Sequence, residues 1–551
     1  MTAVAPYQSA VRASAPPGFG ALLRAEWTKL RTVRGWVTGL LLAVLLPAGI
    51  TLLGHSECGT VYPGGQTIGC PGAPIGPDGS AVTDTFYFVH QPLASDGSIT
   101  ARVTSLTGEY SPDGAIGVND KGTLSGLVPG VQPWSKAGIM IKASTTRGSA
   151  YAAMLVTGSN GVRMQWNYTG DTAGLPGAAS ASSPRWLKLT RSGNKVTGYD
   201  STDGSSWTRV GSVTVRGLPA SGAVQVGLFA TSPSHEVITQ SFGGSAQGGP
   251  SLATGAFDSV GISGGPAGSS WTGTSLAPPP PSDAPARKDA AMKAFNDVFA
   301  GKFRQAGAGS AGAALSVTGS GDIAPDVLDG PDGVGISPQS ALSGMFAALI
   351  VVIIVAALFI AAEYRRGMIR VTLAAAPLRW RVLAAKSVVI GVVTFVVGLI
   401  AVAVVLPVGL HILRSGGNWI PPIPALTEVR MITGTALLLA VAAVLALAIG
   451  ALLRRSVLAI AAVIVVIFVP FMLAHVVGIL PAGAQEWLLR VTPTAAFSIQ
   501  QAYPAYRQVL APYWPSDGYY PLSPWAGFAV LFAWAAIALA GAAWLLRRRD
   551  A

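Results

Sequence analysis

Residues 342–362, LSGMFAALIVVIIVAALFIAA, run into EYRRGMIRVTLAAAPLRWRVLAAK at 363–386 and then into SVVIGVVTFVVGLIAVAVVLPVGLHIL at 387–413. The first run carries no charge and is long enough for a helix of about 30 Å, the thickness of a bilayer core. The third run reads the same way. A basic stretch between two such spans belongs on the cytoplasmic side. This stretch is also patterned. Gly367 can break the incoming helix, Met368, Ile369, Val371, Thr372 and Leu373 give a short helix an apolar side, and Pro377 ends it. A positive-inside flank accounts for the charge but not for that pattern. A short helix held out between two membrane helices is a docking element.

The stretch 363–386 resembles the first cytoplasmic loop of ABC-2 type transporter permeases of the actinobacterial kind. The resemblance extends to LRAEWTKLRT at 23–32 and TPTAAFSIQQ at 492–501. It implies that the loop carries a coupling helix resting on a separate cytoplasmic ABC ATPase. The residues it assigns to ATPase coupling are Glu363, Tyr364, Arg365, Arg366, Gly367, Met368, Ile369, Arg370, Leu373 and Pro377. A second copy of the permease is expected beside the first. ATP and Mg are expected on the partner subunit, and this chain is expected to bind no cofactor.

Composition agrees with a membrane protein. Half of the 551 residues are hydrophobic, 11% are charged, and the mean hydropathy is +0.49. The net charge of +12 is unevenly spread: residues 55–340 hold 17 Lys and Arg against 19 Asp and Glu, and the rest of the chain 20 against 6. Basicity therefore lies beside the apolar runs, which marks topology and not a nucleic-acid footprint.

Residues 1–20 are Ala-, Pro- and Ser-rich and read as disordered. Residues 21–54 hold an interfacial helix and the first span. Leu22, Leu23, Trp27 and Leu30 fall on one side of that helix, and Arg24, Lys29, Arg31 and Arg34 elsewhere, as cations directed to lipid headgroups. Trp36–Gly54 reads as an uncleaved anchor kinked at Pro47, with a secretory signal peptide as the competing reading. After the central pair come spans at 431–453, 456–480 and 525–546. Six spans put both termini in the cytoplasm of a bacterial cell. The positive-inside count agrees, with 16 Lys or Arg in the inside segments against 4 in the short outside loops.

The large insertion between the first two spans then lies outside the cell. Residues 55–82 are a Gly/Pro-rich linker in which Cys58 and Cys70 are expected to pair; two free thiols are the alternative. Residues 83–262 show short alternating strands between Gly, Asp and Ser turns, the pattern of an all-β sandwich. Its pieces at 134–142, 184–194, 201–207 and 256–260 resemble a concanavalin-like jelly roll of the laminin-G-like type. Trp134, Trp186 and Trp207 are sugar-stacking candidates in such a fold, although core packing is the commoner fate of such residues. Residues 263–340 read as a linker and return segment, with an amphipathic helix over 289–303.

Residues 341–551 hold the remaining spans and an outer loop, 481–524, that the resemblance makes re-entrant. There Gln500 and Gln501 are candidates for lining an exit, or else form the wet side of an interfacial helix.

Catalytic patterns are missing from the sequence. Gly301-Lys302 lacks the upstream glycines of a phosphate-cradling loop, no HExxH occurs, and Gly261–Gly265 matches G-x-S-x-G only by letters. No enzymatic activity, metal or nucleic-acid partner is expected. The span interiors lack acidic and basic residues, which argues against an ion-coupled carrier. The sequence therefore reads as the membrane subunit of an exporter in the plasma membrane, in contact with lipid. The rival is a membrane-tethered glycan-binding or sensory protein that uses the β-sandwich.

Overall fold

A computed structural model describes residues 18–54, 60–61, 67–68, 72–118, 124–239, 245–265, 270–277, 297–306, 314–328, 333–365, 378–475, 480–511 and 513–548. Cys58 and Cys70 lie outside the described residues, as do Arg366–Pro377 of the basic loop.

Helix α1, Phe19–Thr32, buries Glu26 and Leu30, leaves Trp27 45% exposed, and stops at the extended Val33. Helix α2, Arg34–Leu53, contains Pro47. Gly344 packs closely on it: a Cβ there would come within 2.7 Å of the Pro47 carbonyl oxygen. A 3₁₀ turn at Pro338–Leu342 leads into α3, Met345–Arg365. Next come α4, Arg379–Ser415, and α5, Ala425–Leu453, followed by α6, Ser456–His475, and the short α7, Ala482–Val491. A buried 3₁₀ run at Pro493–Gln500 precedes α8, Pro524–Arg548.

Six helices among the described residues are long and apolar enough to cross a membrane. The windows in α3 and α5 are 61% and 67% buried, against 17–39% for the other four, so these two form the centre of the bundle. Helix α5 can sit there because small residues (Gly434, Ala436, Ala440, Ala443 and Gly450) let its neighbours approach closely.

Between α2 and α3 lies the β-domain, two sheets packed face to face. One runs in the order 170–173, 162–166, 151–157, 136–142, 224–231, 87–93, 272–275. The other runs 208–214, 195–201, 185–192, 97–110, 251–263, 314–319, 302–306. The strand Arg185–Ser192 alternates buried and half-exposed residues, as a strand with one wet face should. Lys136–Lys142 and Tyr151–Thr157 are instead buried throughout. Their second face is covered by a smaller apolar cluster that includes Val82, Phe86, Phe229 and Ile323.

The domain runs past the boundary read at 262. Thr272–Ser275 pairs with Tyr87–Leu93, and Ala314–Gly319 pairs with Ser251–Ser263. Thr272–Ser275 is short and polar and carries no alternating signal, whereas Ala314–Gly319 does alternate, with Leu315 and Val317 buried between Ser316 and Thr318. The helix expected to reach Phe303 is also corrected, because Lys302–Ala306 is a strand paired with Ala314–Thr318. Cross-strand hydrogen bonding outweighs local periodicity there.

Candidate functional site

Both legs of the basic loop end in one buried cluster of four charges. Lys386, wholly buried on α4, donates from Nζ to Glu26 Oε2 at 2.6 Å and to Glu363 Oε1 at 2.8 Å. Lys29 donates to Glu26 Oε1 at 2.8 Å and to the same Glu363 oxygen at 2.9 Å. The Phe359 ring lies 4.6 Å from the Lys386 ammonium. Glu26 and Lys29 stand one turn apart on α1, so one helix face supplies a carboxylate for Lys386 and an ammonium for Glu363. Burial opposes the Lys29 charge, yet its hydrogen bonds to the two carboxylates outweigh that and raise its pKa above the ordinary lysine value.

The cluster is neutral overall, with Glu26, Glu363 and Lys386 buried and Lys29 partly exposed. Desolvation and pairing nearly cancel in such a group, whereas losing one member leaves a buried charge without compensation. Its physical effect is therefore positional: it fixes the end of α3, the start of α4 and helix α1 relative to one another. Two more contacts hold the same ends. The Arg454 guanidinium lies 5.3 Å over the Tyr364 ring, and Arg379 Nη1 donates to the Leu546 carbonyl at 2.8 Å.

These placements correct three expectations. Arg379, Arg381 and Lys386 are helical, because α4 begins at Arg379 and leaves only 366–378 between the helices. Glu363, assigned by the resemblance to ATPase coupling, is 4% exposed and turned inward to Lys386 and Lys29. Lys29, read as a lipid-directed cation, is ion-paired to Glu26 and Glu363. Arg365 ends α3, and Arg366, Gly367, Met368, Ile369, Arg370, Leu373 and Pro377 lie outside the described residues. Leu23 is half-buried, and Leu30 is 2% exposed against the bundle.

At the opposite end of the bundle, a cavity of about 430 Å³ opens among Gln339, Phe346, Phe471, Phe497, Gln500 and Tyr520. A second cavity of only about 10 Å³ shares Leu342, Phe346, Phe497 and Gln500 with it and is also lined by Thr435. Phe346, Phe471 and Phe497, which line the larger cavity, pack together with centroids 4.6–5.1 Å apart. Gln500 donates to Thr435 Oγ1 at 3.2 Å, and Gln501 turns away to the Tyr503 carbonyl at 2.7 Å. Of the two, Gln500 lines the cavity.

The three tryptophans do not form a shared platform. Trp134 is 5% exposed beneath Arg163, Trp186 lies under Arg102 at 5.7 Å, and Trp207 under Lys188 at 5.6 Å.

Residues 214–551 match the family model described as ABC-2 family transporter protein. The match takes in more than half of the 551 residues, from the later β-strands through every helix after α2. The chain belongs to the ABC-2 transporter family.

As a family member it is a multi-pass membrane protein and a permease component of an ABC transporter, a class that works with an ABC ATPase. No curated protein matches the permease. Three solved structures show limited likeness to it. A functionally unknown protein from Saccharomyces cerevisiae is 15% identical, with 33% of this chain and 74% of that one covered and a TM-score of 0.18. SCP-B, of the eqolisin family of peptidases, and scytalido-glutamic peptidase are each 7% identical, with 43% of this chain and 98% of theirs covered and TM-scores of 0.22 and 0.21. At such scores neither fold nor activity carries over.

The sequence reading missed the cluster. Glu26 and Glu363 are two of only six acidic residues outside 55–340, each set among basic neighbours. That isolation was the available signal. Lys386 looked like one more positive-inside lysine, and nothing in its neighbours predicts that it is buried.

Proposed function

We propose that this permease is the exporting, membrane-spanning subunit driven by a separate cytoplasmic ATPase that docks on the loop between α3 and α4. The observation that carries the reading is the Glu26–Lys29–Glu363–Lys386 cluster. A loop whose two roots are locked to each other and to α1 moves as a unit with the helices it joins. Force applied to residues 366–377 then reaches α3 at the bundle centre without being lost in side-chain rearrangement. ATP and Mg stay on the partner, and this chain hydrolyses nothing.

In this reading six helices cross the membrane, both termini and the 366–377 loop are cytoplasmic, and the β-domain is extracellular. Two copies of the permease assemble with the ATPases. The aromatic cavity on the β-domain side is the exit vestibule, with Gln500 on its wall. The apolar, aromatic lining suits a cargo with a substantial apolar part.

The test is co-purification after mild detergent extraction, with ATPase activity measured on what comes down. A co-eluting ATPase that is lost with Ile369→Asp or Gly367→Pro, while the protein still inserts, supports the reading. A chain that elutes alone and retains cell-wall glycan on its β-domain replaces it with the tethered binder.

A further inference from the structure

The β-domain is seated on the bundle and not strung from it. Gln508, 5% exposed, donates from Nε2 to the carbonyl oxygens of Tyr168 at 3.1 Å and Thr169 at 3.3 Å. Those carbonyls belong to the turn between strands 162–166 and 170–173, where Asn167 and Tyr168 have φ of 44° and 68°. Left-handed backbone at a tyrosine persists only where its surroundings impose it. Here Asn167 accepts from the Tyr151 amide at 3.3 Å and donates to the Arg216 carbonyl at 2.9 Å. The Tyr168 hydroxyl donates to Asp84 Oδ2 at 2.9 Å, the oxygen that also accepts from Lys142 at 2.9 Å.

Asp84 ends the strand by which the chain enters the domain, and that strand pairs with Ile323–Pro325, by which it leaves. Lys136 holds the leaving strand through Asp322 at 2.5 Å and the Ile323 carbonyl at 2.7 Å. The turn gripped by Gln508 and the entering and leaving strands, 82–84 and 323–325, therefore form one stiff body.

The segment that carries Gln508 also walls the vestibule. Tyr513 closes it by donating to the Tyr506 and Val509 carbonyls at 2.8 and 3.1 Å. A few residues on, Pro515, Ser516 and Tyr520 line the cavity. Gly518, at φ 96°, packs on Gln339, which comes from the turn that follows the leaving strand. At its other end Gln500 reaches Thr435, which is 1% exposed and lines the small cavity that adjoins the vestibule.

We propose that the function of the β-domain is to clamp the vestibule: its grip on Gln508 keeps residues 501–511 and 513–520 seated over the ends of α3 and α5, and opening requires the grip to loosen. Two hydrogen bonds are weak enough to break reversibly and strong enough to bias an open–closed equilibrium. The proposal rests on the permease reading for its meaning, but not for its test.

The test uses the full chain in lipid nanodiscs with Thr435→Cys, in the small cavity that adjoins the vestibule, as the reporter. A membrane-impermeant maleimide is added, and labelling is quantified on the peptide that contains position 435, so that Cys58 and Cys70 do not interfere. Gln508→Ala is expected to speed labelling about tenfold, and Gln508→Glu, which sets a carboxylate against two carbonyls, to speed it further. Thermal unfolding of each variant checks that the β-domain stays folded. Unchanged labelling in both folded variants overturns the clamp, and if ATPase coupling persists in them the permease reading stands. Faster labelling in a chain that couples to no ATPase supports the clamp and overturns the permease reading.

Discussion

Lys386 and Glu363, 23 residues apart, meet at 2.8 Å and so join the two roots of the loop that leaves the membrane bundle between them. Because Lys29 and Glu26 complete the set from a third helix, neither root can shift without exposing or unpairing a buried charge.

Lys386→Met is expected to destabilise the permease by about 3–5 kcal/mol, since two buried carboxylates lose their main partner. Adding Glu26→Gln and Glu363→Gln to it should restore most of that loss. Scanning fluorimetry in a fixed detergent reads both. A single variant that melts like the parent excludes the buried network.

At the other end of the bundle, Gly518→Ala would force a left-handed alanine against the Gln339 side chain. The left-handed backbone alone costs about 1–2 kcal/mol. Faster hydrogen exchange is expected in residues 513–522 and at the 338–342 turn, with α1 unchanged. Exchange that rises only at the substituted residue would show that the two segments are not packed together.

In the β-domain, Lys142→Met leaves Asp84 without its ammonium in a site where both side chains are wholly buried. A loss of about 3–5 kcal/mol is expected, and Asp84→Asn in the same background should recover part of it. Chemical unfolding followed by near-ultraviolet dichroism measures the difference.

Acid should soften the β-domain through two carboxylates held below their usual range. For Asp203 the cause is hydrogen bonds from the Ser206 and Ser205 amides, and for Asp258 the paired hydrogen bonds from Arg102. A carboxyl group whose folded pKa is depressed contributes stability above its unfolded value, about 3.9, and loses it as pH falls towards the folded value. The Asp203→Asn/Asp258→Asn variant should therefore melt lower at pH 7 and show a flatter decline below about pH 4. Parallel declines in parent and variant would assign the acid sensitivity elsewhere.

The local sequence was enough to find the helices and to separate them from the β-domain. A run such as Leu342–Ala362 has no other stable fate in water, and strands such as Arg185–Ser192 alternate strictly. The short strand at 272–275 stayed hidden because its pairing, not its composition, makes it a strand, and 314–319 carries an alternating pattern only six residues long.

By itself, then, the sequence determined which segments must leave water and where positive charge gathers, because transfer free energy and charge are properties of each residue. Only the tertiary structure decided that Lys386 is buried between Glu26 and Glu363 and that Gln508 reaches Tyr168. Those outcomes depend on distances between residues 23 to 360 positions apart, which no local pattern encodes.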